Sequence, residues 1–399
     1  MNKKLLFCIA GLGGAVGSTV CVGLSIGDSD VTVRLGMATE SKIIKDLGLD
    51  FLSLDSVLID GWDIKTDNLY SLAKNHMICP NELCEKVKEK LEKLVPRKFY
   101  NKAGQTIEGW IKCEANYIKE KCLKNNIDQA IIVNLCPTEP DSLQCDDKEV
   151  NWEDLSSIKL NLSGVTISRL YFRLAVEAGA HFINYTPNIA ETENLKSLAE
   201  ERGILYCGRD GKTGQTFLKT VIAPALRDKN LKIDGWFSIN ILGNNDGENL
   251  SNEDCKLTKR KSKSECLNSI LGYTPGGKDS EYGHQVHIHY YPPRRDAKEA
   301  WDNIDFSGFL GARMQMKIDW LGQDSILAAP SVIDLARIVN LAARNGNKGL
   351  LSDVSYFFKS PLTQKGKPVQ HATPAQFSQL MTYLNTNLTR HSLKFGCEN

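Results

Sequence analysis

The stretch Lys4-Leu-Leu-Phe-Cys-Ile-Ala-Gly-Leu-Gly-Gly-Ala-Val-Gly17 decides the fold. Its apolar first half, Lys4 to Ala10, predicts a buried strand of a parallel sheet. The glycines from Gly11 to Gly17 predict a tight turn, and Ser18 to Ser25 predicts the start of a helix. Glycines let a backbone approach a pyrophosphate, and a helix N-terminus offers unpaired N–H groups with a partial positive charge. The segment indicates a dinucleotide-binding loop, although its G-x-G-G-x-x-G spacing also fits an ordinary tight turn.

The acidic residue that usually binds the ribose after the second strand is not obvious. We predict that second strand at Val31 to Met37, so the opening forms a βαβ unit. Glu40 lies near the expected position, but so does Arg34. These residues leave both NAD and NADP open.

Downstream of this unit, strands and helices continue to alternate, which is typical of a doubly wound parallel sheet. The predicted strands are Ser56 to Asp60, Gln129 to Val133, His181 to Tyr185 and Ile204 to Cys207. The predicted helices are Pro80 to Lys93, Glu108 to Lys124, Ile167 to Ala178 and Leu195 to Arg202. The expected fold class is therefore α/β, with a Rossmann-like doubly wound parallel sheet.

After Thr216 the pattern changes to longer alternating strands, which predicts an inserted α+β domain on an open sheet. The strands are expected at Leu231 to Ile241, Gln285 to Tyr291 and Gly311 to Trp320, with one helix near Ser264 to Leu271. Helices return at Ile326 to Arg344 and near Pro374 to Leu388. We therefore expect a Rossmann-like domain in residues 1–214, an inserted domain in 215–325, and a return to the first domain in 326–399.

Composition narrows the class of protein. The 399 residues suffice for two domains or for one large domain with an insertion, and the net charge of +1 does not favour nucleic acid. The 12 cysteines lack a C-x-x-C pair, which favours free thiols in the cytoplasm over disulfides or a zinc site.

The N-terminus resembles a secretory leader, but its apolar run breaks at Gly11, and a first strand followed by a turn explains both halves. No segment approaches the ~18 apolar residues of a membrane helix.

Polar residues that suit a phosphorylated sugar are clustered late in the chain. The segment Asn240-Ile-Leu-Gly-Asn-Asn-Asp-Gly-Glu-Asn-Leu250 leads into Lys256-Leu-Thr-Lys-Arg-Lys-Ser-Lys263. Lys259 and Lys263 are four residues apart and share one face of a helix, where an anion between them would offset their repulsion. The alternative is a solvated basic face, and the run lacks the aromatic residues that favour nucleic acid. These segments suggest a nicotinamide-dependent enzyme acting on a sugar phosphate.

Three histidines and four isolated charged residues do not form a site that the sequence pattern alone can identify. His284, His287 and His289 are expected to be strand residues rather than zinc ligands, because no carboxylate or thiol lies near them. Carboxylates and lysines also occur at the ends of predicted elements, at Asp296, Lys298, Asp324 and Lys359. Periodicity does not gather these positions into one site.

Eight segments, with the glycine loop, give the chain a family resemblance. They are Gly61-Trp-Asp-Ile64, Asn184 with Thr186-Pro-Asn188, Gly208-Arg-Asp-Gly-Lys-Thr-Gly-Gln-Thr216, Leu242-Gly-Asn-Asn-Asp-Gly247, Ser262-Lys-Ser264, Asp296-Ala-Lys298, Asp324-Ser-Ile-Leu-Ala-Ala-Pro330 and Phe358-Lys-Ser-Pro361. The chain resembles the myo-inositol-1-phosphate synthases, also called inositol-3-phosphate synthases. The matches span Gly11 to Pro361 in the family's order.

The resemblance implies an isomerase that uses NAD to convert D-glucose 6-phosphate into 1D-myo-inositol 3-phosphate. The sugar is oxidised at C5, enolised, cyclised by an intramolecular aldol step from C6 to C1, and reduced again. The resemblance also implies a cytoplasmic homotetramer whose inserted catalytic domains pair across subunits, without nucleic acid or membrane partners. The product would supply inositol lipids.

The resemblance assigns site residues position by position. The catalytic set is Lys259, Lys263, Lys298, Lys359 and Asp210; Lys259 and Lys359 would stabilise oxyanions, and Lys263 and Lys298 would bind phosphate and hydroxyls. The substrate contacts are these lysines with Asn240 and Asn244. The cofactor contacts are Gly11, Gly13, Gly14, Ala15, Val16, Asp63, Thr138, Asp210, Thr213, Asn244, Asn245, Asp246, Asp296, Asp324 and Ser325. No metal ligand is implied.

The chain departs from the family pattern at three places. Ala15-Val16 replaces a common Asn-Asn pair, Asn134-Leu-Cys-Pro-Thr138 replaces Trp-Thr-Ala-Asn-Thr, and Arg294-Arg295 replaces Val-Gly. The first change leaves only backbone N–H groups for the pyrophosphate, so it bears on cofactor affinity more than on reaction type. Two other functions fit the fold: an NAD-dependent sugar-phosphate dehydrogenase that releases NADH, and a non-catalytic nucleotide-binding protein.

Overall fold

The computed structural model of the chain describes residues 3–99, 106–140, 147, 150–159, 164–244, 266–277 and 283–388. The strands are β1 Leu5–Ala10, β2 Val57–Asp63, β3 Arg97–Lys98, β4 Gln129–Asn134, β5 His181–Asn184, β6 Leu205–Gly208, β7 Lys232–Leu242, β8 His284–Tyr290, β9 Ala297–Ser307, β10 Arg313–Gln323 and β11 Gly349–Leu350. The helices are α1 Ala15–Ile26, α2 Lys42–Lys45, α3 Leu69–His76, α4 Asn81–Lys86, α5 Lys88–Glu92, α6 Ile107–Asn125, α7 Ile167–Ala178, α8 Glu193–Glu201, α9 Gln215–Asp228, α10 at residues 266–271, α11 Asp324–Arg344 and α12 Thr373–Tyr383.

Within the described residues, seven parallel strands form the first sheet, in the order β11-β6-β5-β4-β1-β2-β3. The chain winds outward from β1 in one direction through β2 and β3, and then in the other through β4, β5 and β6. The direction reverses between β1 and β4, which makes the carboxyl ends of these two strands a topological switch point, where ligands of such sheets bind. The predicted Rossmann-like fold is confirmed.

The apolar run of β1 is continuous because both faces of the first sheet are covered. Leu5, Phe7 and Ile9 point into one core, which α1 and α11 share, while the alternate residues Leu6 and Cys8 point into a second core with α6 and α7. Successive strand residues alternate between faces, so a strand that is buried on both sides must be apolar throughout.

The second sheet is open and mixed, with the order β10-β9-β7-β8. β7 pairs in parallel with β8 and antiparallel with β9, and β9 pairs antiparallel with β10. Helices α9 and α10 cover one face, where Ala223, Leu226 and Leu267 pack with Trp236 and Ile304. The predicted strands in this part are confirmed, with ends shifted by one to three residues. β11, near the end of the chain, returns to the first sheet.

The strand predicted at Val31 to Met37 is wrong. Val31–Arg34 forms a short 3-10 helix, because the Asp30 side chain accepts a hydrogen bond from the Thr32 backbone N–H at 3.0 Å and turns the chain. Gly36 then adopts a positive φ of 83°. The place beside β1 is taken by β2, whose first four residues were part of the strand predicted at Ser56 to Asp60. The predicted helix Pro80 to Lys93 is divided into α4 and α5 at Val87.

Two elements of the inserted part escaped prediction. Helix α9 contains Pro224, and a proline inside a helical pattern argues against a helix there. Strand β9 buries Glu299 and Asp302, so its sequence lacks the polar-outside alternation that marks a half-buried strand.

Helix α11 qualifies by length and composition as a membrane span, contrary to the expectation that no segment would. Its most apolar 18-residue window is 72% buried inside the protein. Buried Asp334 accepts hydrogen bonds from the Ala38 and Thr39 backbones, and Arg337 pairs with Glu40. These contacts make α11 a core helix of the first sheet.

Candidate active site

The glycine loop lies at the switch point and is held against the end of β2. The Gly11 and Leu12 N–H groups both donate to the Trp62 carbonyl, at 2.9 and 3.1 Å. The Gly13 N–H donates to the Asp63 carboxylate at 2.8 Å. Asp63, predicted as a cofactor contact, is thereby fixed beside the loop.

The loop excludes side chains at several glycines. A Cβ at Gly13 would lie 2.8 Å from Leu72 Cδ1, and a Cβ at Gly17 would lie 2.4 Å from the Gly11 carbonyl oxygen. Gly11 itself has a φ of 89°, which favours glycine. The first turn of α1 contains no acidic residue, so its N–H groups keep their partial positive charge for an outside anion. Close packing explains the glycines of the turn, and the uncapped start of α1 is the feature that suits an anion.

Lys298 is held where the second sheet meets helix α11. Its Nζ lies 3.2 Å from both carboxylate oxygens of Asp324, the first residue of α11. Thr213 Oγ1 donates to the same carboxylate at 2.8 Å. Asp296 accepts hydrogen bonds from the backbone N–H and the hydroxyl of Ser325, in the first turn of α11, at 3.0 and 2.7 Å.

Burial raises the pKa of Asp296, and its hydrogen bonds to Ser325 and to the Asn244 side chain oppose that shift. The structure therefore brings together the predicted residues Asn244, Asp296, Asp324 and Ser325. Their side chains form a polar wall at the junction of the two sheets.

Lys359 reaches the site from the C-terminal segment. Its Nζ donates to Asp210 Oδ1 at 2.9 Å, and the two side chains are 22% and 14% exposed. Backbone hydrogen bonds join the two segments, from the Lys359 N–H to the Asp210 carbonyl at 2.7 Å and from the Lys212 N–H to the Phe357 carbonyl at 2.8 Å. The pairing fixes Lys359 to the loop that follows β6.

Lys298 and Lys359 are thus tied to one short loop, Gly208 to Gly214. Asp210 of this loop holds Lys359, and Thr213 binds the carboxylate that holds Lys298. A Cβ at Gly214 would lie 3.5 Å from Lys298 Cδ, so the lysine stem passes directly over the loop. Lys298 and Lys359 are 61 positions apart in the sequence, and this loop brings them together at the carboxyl edge of the first sheet.

The structure describes some of the other predicted residues and not others. Lys259, Lys263, Asn245 and Asp246 lie outside the described residues. Ala15 and Val16 form the first turn of α1, and Thr138 follows β4 on the other side of the switch point. Buried Asn240 lies on β7. His284, His287 and His289 are strand residues of β8, as expected.

Sequence reasoning missed several buried polar residues around the same loop. Lys212 donates to the Thr373 hydroxyl at 3.1 Å and to the Gln376 amide oxygen, both on α12. Burial lowers the pKa of Lys212 to about 7. Gln215, at the start of α9, is also buried and donates to buried Asp302 of β9. Lys212 and Gln215 fall within the matching segment Gly208 to Thr216, so that motif was the available signal. For Asp302 the sequence held no signal.

Comparison with known proteins identifies the family. A family model described as myo-inositol-1-phosphate synthase matches residues 214–325. The chain is 33% identical over 388 residues to inositol-3-phosphate synthase 1 of Bacteroides thetaiotaomicron, with 90% of each chain covered. The chain belongs to the inositol-3-phosphate synthase family. This is an enzyme family of inositol biosynthesis with a Rossmann-like fold.

Other members of this synthase family are also similar to the chain in sequence or in structure. Inositol-3-phosphate synthase isozyme 2 of Arabidopsis thaliana is 28% identical over 370 residues, which cover 84% of this chain and 72% of the relative. The solved inositol-3-phosphate synthase of Caenorhabditis elegans superposes with a TM-score of 0.86 at 26% identity, over 97% of this chain and 86% of that one. A myo-inositol-1-phosphate synthase-related protein from Thermotoga maritima shares the fold, with a TM-score of 0.71 at 21% identity over 95% and 98% of the two chains.

The lowered pKa of Lys212 predicts a pH dependence of stability. The unfolded lysine titrates at about 10.4, above the folded value of about 7. Between these values the unfolded chain binds more protons, so this residue makes the free energy of unfolding rise with pH. Lys212→Met should reduce the rise between pH 7 and 10, as measured by urea denaturation.

Lys229→Met provides the matched control, because Lys229 is exposed and should leave the wild-type rise intact. An undiminished rise in Lys212→Met would contradict the lowered pKa.

Proposed function

We propose that this chain is an inositol-3-phosphate synthase that converts D-glucose 6-phosphate into 1D-myo-inositol 3-phosphate with NAD as its cofactor. The observation that carries the proposal is the attachment of Lys298 and Lys359 to one loop, each through an aspartate, in a member of this family. A phosphorylated sugar whose oxygens become negative during reaction requires fixed cations of this kind.

The residues at the switch point fit NAD. The uncapped N-terminus of α1 would hold the pyrophosphate, with the Gly11 to Gly14 backbone beside it, and Asp63 fixes that loop. Since Ala15 and Val16 carry no polar side-chain atoms, only backbone N–H groups serve the phosphates there. The remaining cofactor contacts are proposed to be Thr138, Asp210, Thr213, Asn244, Asn245, Asp246, Asp296, Asp324 and Ser325. NAD would take a hydride from the sugar and return it later.

The two described lysines would act on the sugar. Lys359, fixed by Asp210, would stabilise the oxyanion that forms when the carbonyl beside the acidified carbon enolises. Lys298, fixed by Asp324, would bind phosphate and hydroxyl oxygens. A preorganised donor at a developing oxyanion lowers the barrier by about 3 kcal/mol. Lys259 and Lys263 would complete the set with Asn240 and Asn244.

The domain division and the homotetramer form part of the same proposal. Residues 1–214 and 326–399 would bind the cofactor, and 215–325 would carry catalysis and assembly. On the face of the second sheet opposite α9 and α10, Phe237, Trp301 and Leu321 are 41%, 46% and 59% exposed. Apolar side chains on an open sheet face favour pairing with another copy. The nine described cysteines are free thiols, which supports a cytoplasmic location.

Product analysis tests the proposed reaction. Purified protein with glucose 6-phosphate and a catalytic amount of NAD should yield inositol phosphate, detected by chromatography and phosphorus NMR, without accumulation of NADH. Each hydride taken from the sugar returns to it, so the cofactor turns over without net oxidation. Stoichiometric NADH would indicate the sugar-phosphate dehydrogenase instead, and cofactor binding without turnover would indicate the non-catalytic protein.

Lys359→Ala should reduce turnover by at least about 100-fold, because an oxyanion partner is lost. NAD affinity, measured by isothermal titration calorimetry, should remain close to that of the wild type. Lys365→Ala is the matched control, since Lys365 is exposed on the following segment and should leave turnover unchanged. Near-normal turnover in Lys359→Ala would remove this lysine from the mechanism.

A further inference from the structure

A buried chain of hydrogen bonds runs behind Lys298, from Asp302 through Gln215 to Asn240. Gln215 Nε2 lies 3.1 Å from both carboxylate oxygens of Asp302, and Asn240 Nδ2 donates to Gln215 Oε1 at 2.7 Å. Asp302, Gln215 and Asn240 are 3%, 2% and 1% exposed. The chain links the start of α9 to the middle of the second sheet.

Asp302 sets the orientation of the two amide groups in this hydrogen-bond chain. Its carboxylate also accepts hydrogen bonds from Trp236 Nε1 at 2.6 Å and from Ser238 Oγ at 2.7 Å. An ionised carboxylate only accepts hydrogen bonds, so Gln215 must present its amide nitrogen to it. The amide oxygen of Gln215 then necessarily faces Asn240.

The constraint passes on to Asn240. Because Gln215 offers an oxygen, Asn240 must turn its own amide nitrogen towards that oxygen, and its Oδ1 points the other way. Oδ1 is buried and has no hydrogen-bond partner among the residues that the structure describes. A buried acceptor without a partner is costly, and at a binding site the ligand can supply the missing donor.

The register of the second sheet places this acceptor beside the site. Leu242 pairs with Lys298, Asn240 with Ala300, and Ser238 with Asp302, and directly opposed residues point to the same face. Asn240 and Lys298 are therefore diagonal neighbours on the face that meets the Gly208 to Gly214 loop. An acceptor here lies on the same face of the sheet as the Lys298 side chain.

We propose that Asp302 is a positioning residue that selects the amide orientation of Asn240, so that Asn240 presents a hydrogen-bond acceptor to a hydroxyl group of the sugar phosphate. This inference rests on the proposed function and adds to it residues that do not touch the substrate. Asp302 acts two side chains away, through Gln215.

Asp302→Asn should reverse the whole chain. The amide oxygen at position 302 would still accept from Trp236 and Ser238. The amide nitrogen at position 302 would therefore face Gln215. Gln215 would turn its oxygen towards that nitrogen, and Asn240 would turn its nitrogen into the site. A donor would then oppose the substrate hydroxyl, and kcat/KM for glucose 6-phosphate should fall by about 100-fold, while NAD affinity stays unchanged.

The double variant Asp302→Asn with Asn240→Asp should recover most of the loss. The reversed Gln215 donates to one oxygen of the carboxylate at position 240, and the other oxygen again accepts from the hydroxyl. A purely structural role for Asp302 predicts the opposite, because the second change would add its own damage. Asp305→Asn, the same substitution at an exposed position of β9, is the control and should have wild-type activity.

Neutron diffraction from deuterated crystals of the wild type and Asp302→Asn reads the orientation directly and does not depend on turnover. We expect the Asn240 deuterons to face Gln215 in the wild type and the site in the variant. An unchanged orientation, or a double variant no more active than Asp302→Asn, would overturn the inference. If the wild type makes no inositol phosphate but Asn240 still reverses in Asp302→Asn, the proposed function would be refuted and the positioning role of Asp302 would stand.

Discussion

Two aspartate–lysine pairs held by one loop are the constraint on which the site depends. A lysine side chain has four rotatable bonds and loses about 2 kcal/mol of conformational entropy when fixed. Asp210 and Asp324 supply the partners that fix Lys359 and Lys298, and both pairs are mostly shielded from water. The loop after β6 contacts both pairs, so its conformation decides whether the two ammonium groups face one ligand.

The rest of the fold brings three distant segments to that loop: the start of β9 with Lys298, the start of α11 with Asp324, and the C-terminal segment with Lys359. Parallel strands end at one edge of the first sheet, which places the glycine loop and the loop after β6 on the same side. Helix α11 starts at Asp324 and runs into the core, and the inserted sheet contributes Lys298 beside it. The glycine loop and the polar wall of Asp296, Asp324 and Ser325 thus share a single edge of the molecule.

The sequence predicted the first sheet well because its strands are buried on both faces and therefore read as short apolar runs. It failed at Val31 to Met37, where the Asp30 carboxylate accepts a hydrogen bond from the Thr32 backbone and turns an apolar segment away from the sheet. Strand β9 escaped prediction because it buries Asp302, a residue type that patterns place on the surface. Periodicity also left Lys298 and Lys359 as isolated positions. Only the family resemblance placed them in one site, because their proximity depends on tertiary contacts.

A crystal structure of the protein with NAD and a non-reactive analogue of glucose 6-phosphate tests the convergence of the lysines most directly. The account predicts Nζ atoms of both Lys298 and Lys359 within hydrogen-bond distance of oxygens on the same analogue, with the nicotinamide ring against it. An analogue that contacts only one of these lysines, or binds away from the Gly208 to Gly214 loop, would contradict it.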